Sequence, residues 1–263
     1  MSYNLADLQN MCDFFEIKKD TPILLHSSIF TLGTLDNVPI DNTAEVILDF
    51  FLNNFKNFNQ PTFNYSFPKS KYIDLTLANS QVGILSNLMI SKGYYRSSHP
   101  MFSFVGNNNS FIKDDYIEFN PFGENSFFDR LTKANGKIII LGYKPYVATY
   151  IIYAEFMAQI RYRFLKPFVG KVKTKHKTIE GSFFHFALPL NEDYNHNYCD
   201  FHKHLRELGI EKEFKIGKYK AFCFDAKIFS AKLKDYIKED KFRLLNKAPK
   251  NFYVYKNNKE VIE

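Results

Sequence analysis

Three cysteines and seven histidines are the side chains here with the widest chemical reach. Cys12, Cys199 and Cys223 are widely spaced and form no CxxC pair. An odd, sparse set of thiols opposes a disulfide framework and points to a reducing compartment. The three read as small hydrophobes rather than nucleophiles or metal ligands. His202 and His204 stand two apart, not at the i, i+4 spacing that puts two imidazoles on one helical face for zinc. With His185 and His196 they read as surface histidines, so no metal is expected. The pair Ser27-Ser28 follows an apolar run and leads to Leu32-Gly33. Such a loop offers hydroxyls and free backbone N–H groups, and glycine permits close approach of a ligand; standing alone it is a simple turn. Lys171, Lys173, Lys175 and Lys177 alternate strictly, the pattern of an exposed strand. They guard a sheet edge or line a basic rail for phosphates, and the two readings are compatible.

These groups need elements to hold them. Apolar spacing predicts helices over about 4–15, 42–56, 79–92, 147–160, 200–208 and 226–238. Short strands are expected at Pro22–His26, Pro61–Tyr65, Lys137–Gly142 and Lys220–Phe224. Gly93 stops one helix, and Ser126 to Asp129 has capping-box spacing at the start of a short one. The alternation of helix and strand predicts an α/β fold, with a central mixed β-sheet covered by helices. Residues 1–263 read as one domain, with about 161–263 as a smaller C-terminal lobe.

A chain of 263 residues, 45% hydrophobic, buries a sizeable core without staples. Met1 to Leu5 lacks a basic n-region and an apolar h-region, and no uncharged apolar run reaches bilayer length. The sequence therefore predicts a cytoplasmic protein with no membrane partner. The net charge of +7 is unevenly placed. Residues 1–160 carry 12 Lys and Arg against 15 Asp and Glu; residues 161–263 carry 23 against 13. A basic half suggests an anionic partner, either nucleic acid or a phosphorylated small molecule. No nucleic-acid-binding motif accompanies the charge.

Five segments in order carry a resemblance. They are Leu25-His26-Ser27-Ser28 with Leu32-Gly33; Pro61-Thr62-Phe63; Gly83 with Arg96-Ser97-Ser98-His99-Pro100 and Ser103; Pro121 to Ser126 with Leu131, Gly136 and Ile140-Leu141-Gly142; and Thr149 with Ala154-Glu155 and Tyr162-Arg163. Gly217, Ala221 and Phe224-Asp225 add a weaker match. In order and spacing the chain resembles the aminoglycoside 3-N-acetyltransferase family over about residues 23–225. The resemblance implies transfer of an acetyl group from acetyl-CoA to an amine. The family pattern Thr-x-x-His-x-x-Glu places a base and its orienting carboxylate on one helical face. Here Thr149 and Glu155 fit, but Ile152 stands where the histidine belongs.

The resemblance implies roles for the remaining motif residues. His99 is the first candidate for the missing base, since imidazole titrates near neutrality; His26 is the second. Glu155 acts as a base through water or binds the substrate ammonium. His26, Ser27, Ser28, Gly33, Arg96, Ser97 and Ser103 are expected to hold acetyl-CoA, with Arg96 on a phosphate. Asn64, Tyr65, Glu124 and Asn125 are expected to meet the substrate. The basic half favours a nucleotide-linked amino sugar, as in surface-glycan biosynthesis. The alternatives are an aminoglycoside, which benefits from an acidic cleft, and a noncatalytic or nucleic-acid-binding protein of the same fold. Formyl transfer from a folate has no supporting signature.

Overall fold

The computed structural model describes residues 1–190 and 192–263. Among these the strands are β1 (Ser2–Tyr3), β2 (Ile23–Ser27), β3 (Thr34–Leu35), β4 (Phe58–Phe63), β5 (Tyr72–Asp74), β6 (Tyr95–Arg96) and β7 (Phe102–Gly106), then β8 (Lys137–Leu141), β9 (Phe164–Lys173), β10 (Thr178–Ala187), β11 (Lys212–Ile216), β12 (Tyr219–Asp225), β13 (Tyr253–Lys256) and β14 (Lys259–Ile262). The helices are α1 (Leu5–Phe14), α2 (Thr43–Asn54), α3 (Phe67–Ser70), α4 (Ile84–Ser91) and α5 (Asn109–Ile112), then α6 (Phe127–Lys133), α7 (Tyr150–Met157), α8 (Tyr198–Glu207) and α9 (Ala226–Tyr236). No helix among the described residues is long and apolar enough to cross a membrane.

A seven-stranded mixed sheet runs in the order β11-β12-β8-β2-β4-β7-β6. The three central strands, β8, β2 and β4, are parallel. Their apolar runs, Ile23-Leu24-Leu25 and Ile138 to Leu141, are those of strands covered on both faces. Side chains alternate across a strand, so Ile23 and Leu25 join a core with α1, α2 and α4 on one face. Leu24, Ile138 and Ile140 join the core with α6 to α9 on the other. The helix leading into β4 thus lies on one face of β2, and the helix leading into β8 on the opposite face. Strand order reverses at β2, which in open α/β sheets opens a crevice beyond the carboxyl ends of the strands.

The region beyond residue 160 divides. β11 and β12 extend the central sheet through β8. β10, β9 and β5 form a separate three-stranded sheet, and β13 with β14 a hairpin. The lysine row is not one exposed edge strand. β9 ends at Lys173 and β10 begins at Thr178, with a turn between them, and β9 is the middle strand of its sheet. Lys173 pairs with Asp74 at 2.8 Å and Lys171 with Glu180 at 3.3 Å. The four lysines therefore do not lie along one edge strand.

Ser126 does cap α6, accepting from the Asp129 N–H at 3.2 Å, but the Asp129 carboxylate accepts from the Asn125 N–H at 2.7 Å instead of closing the box on Ser126. Cys12 and Cys223 are buried and Cys199 is exposed. Burial pushes the Cys12 thiol up to about 12, which suits a packing role. His202 is a correction to the surface reading: it is buried against the Glu211 carboxylate, which Arg206 also pairs.

Candidate active site

β2 and β4 pair only at Ile23 with Phe58 and at Leu24 with Asn59, whereas β2 and β8 pair along all five residues. Beyond Leu24 the two strands part, and a cleft of about 370 Å3 lies at their carboxyl ends. His26, Ser27 and Ser28 form the β2 side, and Gln60, Pro61, Phe63 and Tyr65 the β4 side. Val82, Gly83 and Ser86 close it at the start of α4, and Tyr143, Val147 and Thr149 ahead of α7. No Lys, Arg, Asp or Glu lines it.

The serine loop is fixed to the end of β8. The Ser28 N–H donates to the Leu141 carbonyl at 2.8 Å. The Thr31 hydroxyl lies 2.6 Å from the carbonyls of both Ser28 and Gly142. Gly142 has φ +73°, and a Cβ there would stand 2.5 Å from the Ser28 carbonyl oxygen, so only glycine lets the two loops close. Three buried polar atoms on the cleft-lining residues have no protein partner: His26 Nε2, Ser27 Oγ and Gln60 Nε2. Leaving such groups unmatched costs about 1–3 kcal/mol each, and a ligand with complementary atoms removes that cost. Burial pushes the His26 imidazole down to about 4, so the ring is neutral at neutral pH.

The other expected site residues are elsewhere. His99 is fully buried. Its Nδ1 accepts from the N–H groups of Met101 at 3.2 Å and Phe102 at 3.0 Å, and Nε2 donates to the Phe184 carbonyl at 3.2 Å. Burial, with His185 nearby, pushes it down to about 3. The ring ties β7 to β10, both of its nitrogens have protein partners, and it is not among the residues that line the cleft. Arg96 donates to the carbonyls of Thr62, Leu75 and Ala78 and to the Ser103 hydroxyl. Ser103 also bonds the Thr62 carbonyl and hydroxyl, and Ser97 accepts from the Phe104 N–H. These three brace β6 and β7 against β4, outside the lining of the cleft. A second hollow of about 370 Å3 borders Arg96, between Tyr94, Tyr95, Asp114 and Lys175, and no unmatched buried polar side chain faces it.

Glu155 is also buried and paired. Arg163 Nε donates to one carboxylate oxygen at 2.7 Å, the Tyr162 hydroxyl to the other at 2.7 Å, and the Tyr198 hydroxyl lies 3.1 Å from both. Arg163 also donates to the Phe186 carbonyl at 3.1 Å. Glu155 thus pairs with an interior arginine and is not among the residues that line the cleft. Ile152 is packed against the core, while Thr149, one turn earlier, lines the cleft.

Gly33 has φ +103°, and a Cβ there would stand 2.2 Å from the Met1 carbonyl oxygen, so its role is to seat the first strand. Asn64 accepts from the N–H and hydroxyl of Ser66. Glu124 and Asn125 are not among the cleft-lining residues, and the Asn125 backbone carbonyl instead accepts from Arg130. Of the residues expected in the site, the structure brings together His26, Ser27, Ser28 and Tyr65. It adds Gln60, Ser86, Tyr143 and Thr149. Gln60 was missed although a polar side chain just before Pro61 in a buried strand is a usable signal. Among the described residues no group of three or more His, Cys, Asp or Glu is placed to hold a metal.

A family model described as aminoglycoside 3-N-acetyltransferase matches residues 53–238. No curated protein sequence matches the chain. The fold is similar to that of aminoglycoside acetyltransferase AAC(3)-Xa, with 14% identity, a TM-score of 0.72 and coverage of 92% of this chain and 94% of that one. It is similar to AAC-IIIb in a binary complex with CoASH, with 17% identity, a TM-score of 0.72 and coverage of 95% and 100%. A histidine-to-alanine variant of AAC(3)-IVa in complex with apramycin gives 17% identity, a TM-score of 0.69 and coverage of 91% and 94%.

Two outcomes follow from this geometry. Glu155→Gln should destabilise the protein by about 3–5 kcal/mol, because it leaves Arg163 buried without its counter-charge; urea unfolding reads the loss. The second concerns pH. His26, His99 and His185 are all depressed by burial, so the unfolded chain takes up protons first as pH falls below the ordinary value of 6.5. Stability contributed by the neutral rings is present above that value and is lost progressively toward about 4 and then about 3. Urea midpoints should therefore fall between about pH 7 and about pH 5, above most of the carboxylate range.

Proposed function

The chain belongs to the aminoglycoside 3-N-acetyltransferase family, and we propose that it transfers an acetyl group from acetyl-CoA to a primary amine of an aminoglycoside-type amino sugar in the β2–β4 cleft. The observation that carries this reading is the set of three unmatched buried atoms, on His26, Ser27 and Gln60, around a cleft with no charged side chain. Its size falls within the roughly 300–1,000 Å3 of small-molecule sites. An uncharged lining with hydroxyl and amide groups suits the amide-bearing pantetheine arm and the thioester. The phosphates of the coenzyme would stay outside, since no cation lines the cleft.

His26 is the residue we assign to the amine proton. It is the one imidazole in the lining, and no carboxylate accompanies it. Ile152 has no proton-accepting atom, Glu155 is held by Arg163 and two tyrosines, and both nitrogens of His99 are engaged. As the amine nitrogen bonds to the acetyl carbon, its proton passes to the neutral His26 ring. The C–S bond breaks, and the thiolate leaves and takes that proton. Burial keeps the ring unprotonated and ready, at the expense of basicity. The loop of Ser27 and Ser28, fixed to β8, orients the acyl end.

The charge that favoured a nucleotide-linked amino sugar does not reach this cleft. None of its lining residues lies beyond Thr149, and Lys171 and Lys173 have carboxylate partners. The acidic lining that would favour a polycation is also missing from the walls, so the amine is selected by shape and hydrogen bonding.

His26→Asn should lower kcat by about 10²–10⁴-fold with little change in the dissociation constant for CoA. Unchanged kcat would remove His26 from the proton path. Steady-state comparison of apramycin and gentamicin with nucleotide-linked amino sugars should show kcat/KM at least about tenfold higher for the aminoglycosides, about 1.4 kcal/mol in transition-state stabilisation. The reverse order would reinstate the nucleotide-linked substrate.

A further inference from the structure

Gln60 has a side chain that no motif singled out. It is 1% exposed, on β4, directly before Pro61. The Ser86 hydroxyl lies 3.5 Å from its Oε1, the long limit of a hydrogen bond, and Nε2 has no partner. An amide nitrogen is donor-only. It is therefore unsuited to binding an ammonium, and its complement is a carbonyl, a hydroxyl oxygen or an oxyanion.

The surroundings agree with an anionic guest of small size. Ser86 is in the first turn of the eight-residue helix α4, whose N-cap is Gly83 at φ +72° with no side-chain cap. The N–H groups of a first turn have no intrahelical partner, and the helix end is electropositive. Val82, Gly83 and Ser86 line the cleft beside Gln60. With no Lys or Arg in the lining, the Gln60 amide, this helix end and the Ser27 hydroxyl are donors available to negative charge developing between β2 and β4.

We propose that Gln60 is a catalytic residue that donates from Nε2 to the carbonyl oxygen of the acetyl group being transferred, with Ser86 fixing the orientation of its amide. The proposal rests on the acetyl-transfer reading above. When the amine attacks, the C=O electron pair moves onto oxygen, and the resulting oxyanion accepts a hydrogen bond from the Gln60 Nε2–H. When the C–S bond breaks, the pair returns, the carbonyl re-forms as an amide and the thiolate departs with the proton from His26. A donor aimed at this oxygen binds more strongly as charge builds, so it lowers the barrier rather than only improving affinity.

Three variants of the full-length protein test this. Gln60→Met keeps the length of the side chain without the donor, Gln60→Glu keeps the shape and replaces the donor nitrogen by a second oxygen, and Ser86→Ala releases the amide. The first readout is kcat against KM, with CoA affinity measured separately. The second is the carbonyl stretching frequency of acetyl-CoA carrying ¹³C at the acetyl carbonyl, bound to wild type and to each variant. Gln60→Met and Gln60→Glu should lose about 10²-fold in kcat with CoA affinity unchanged, and Ser86→Ala less. The bound carbonyl should be shifted to lower frequency in wild type and return toward its free value in both Gln60 variants. An unshifted carbonyl in wild type, or a shift retained in Gln60→Met, would overturn the proposal. So would a loss confined to KM for the amine, which would mean that the amide oxygen faces the cleft. Should the Gln60 variants fail to fold, the wild-type shift and its partial loss in Ser86→Ala still decide. If wild type does not bind acetyl-CoA at all, the acetyl-transfer reading fails first, and this arm separates the two failures.

Discussion

Everything in this protein that bears on chemistry follows from the parting of two parallel strands. β2 keeps its ladder with β8 along its whole length and gives up β4 after two residues. Buried backbone and side-chain polar groups need partners, and a strand pair that separates takes some of theirs away. Part of the deficit is made good locally: the Ser28 N–H turns to Leu141, and Thr31 bridges Ser28 and Gly142. The rest stays open on His26, Ser27 and Gln60. A site of this kind is preorganised because the sheet below is rigid and apolar on both faces, so its polar atoms are held without internal compensation.

The groups around the site repeat one arrangement. Arg96, His99 and Glu155 are buried polar side chains whose hydrogen bonds go to the protein interior. Arg96 ties β6 to β4 through the Thr62 carbonyl and to the segment after β5 through those of Leu75 and Ala78. His99 joins the central sheet to the three-stranded one through Phe184. Glu155 joins α7 to Arg163 and α8. Polar networks that are fully matched specify one packing, and these three fix how the elements around the central sheet meet.

Much of the frame was legible in the sequence because it follows from local periodicity. α1, α2, α9, β2, β8 and β12 are close to their expected limits. The site was less legible, for a physical reason. Motif order places His99 and Glu155 at family positions but says nothing of burial or of partners 85 and 43 residues away. Residue type suggested chemistry, and tertiary hydrogen bonding took that capacity away. Gln60 shows the converse. Its side chain is common, its significance comes from having one end matched by Ser86 and the other left open, and that is a property of the packed structure alone. The lysine row misled similarly, since alternation cannot show that a tight turn falls within it.

β8 takes its second neighbour, β12, from late in the chain. Its run Ile138-Ile139-Ile140-Leu141 is completely buried, and one of its two edges is covered by β12. Lys137 and Asp225, which meet at one end of that pairing, are 88 residues apart. During synthesis from the amino end, β2 can receive β8 long before β12 emerges. Over that interval the growing polypeptide presents an unpaired, wholly apolar strand edge, the kind that recruits other strands. The stretch of synthesis between β8 and β12 is therefore the one in which this edge is open to pairing with other strands.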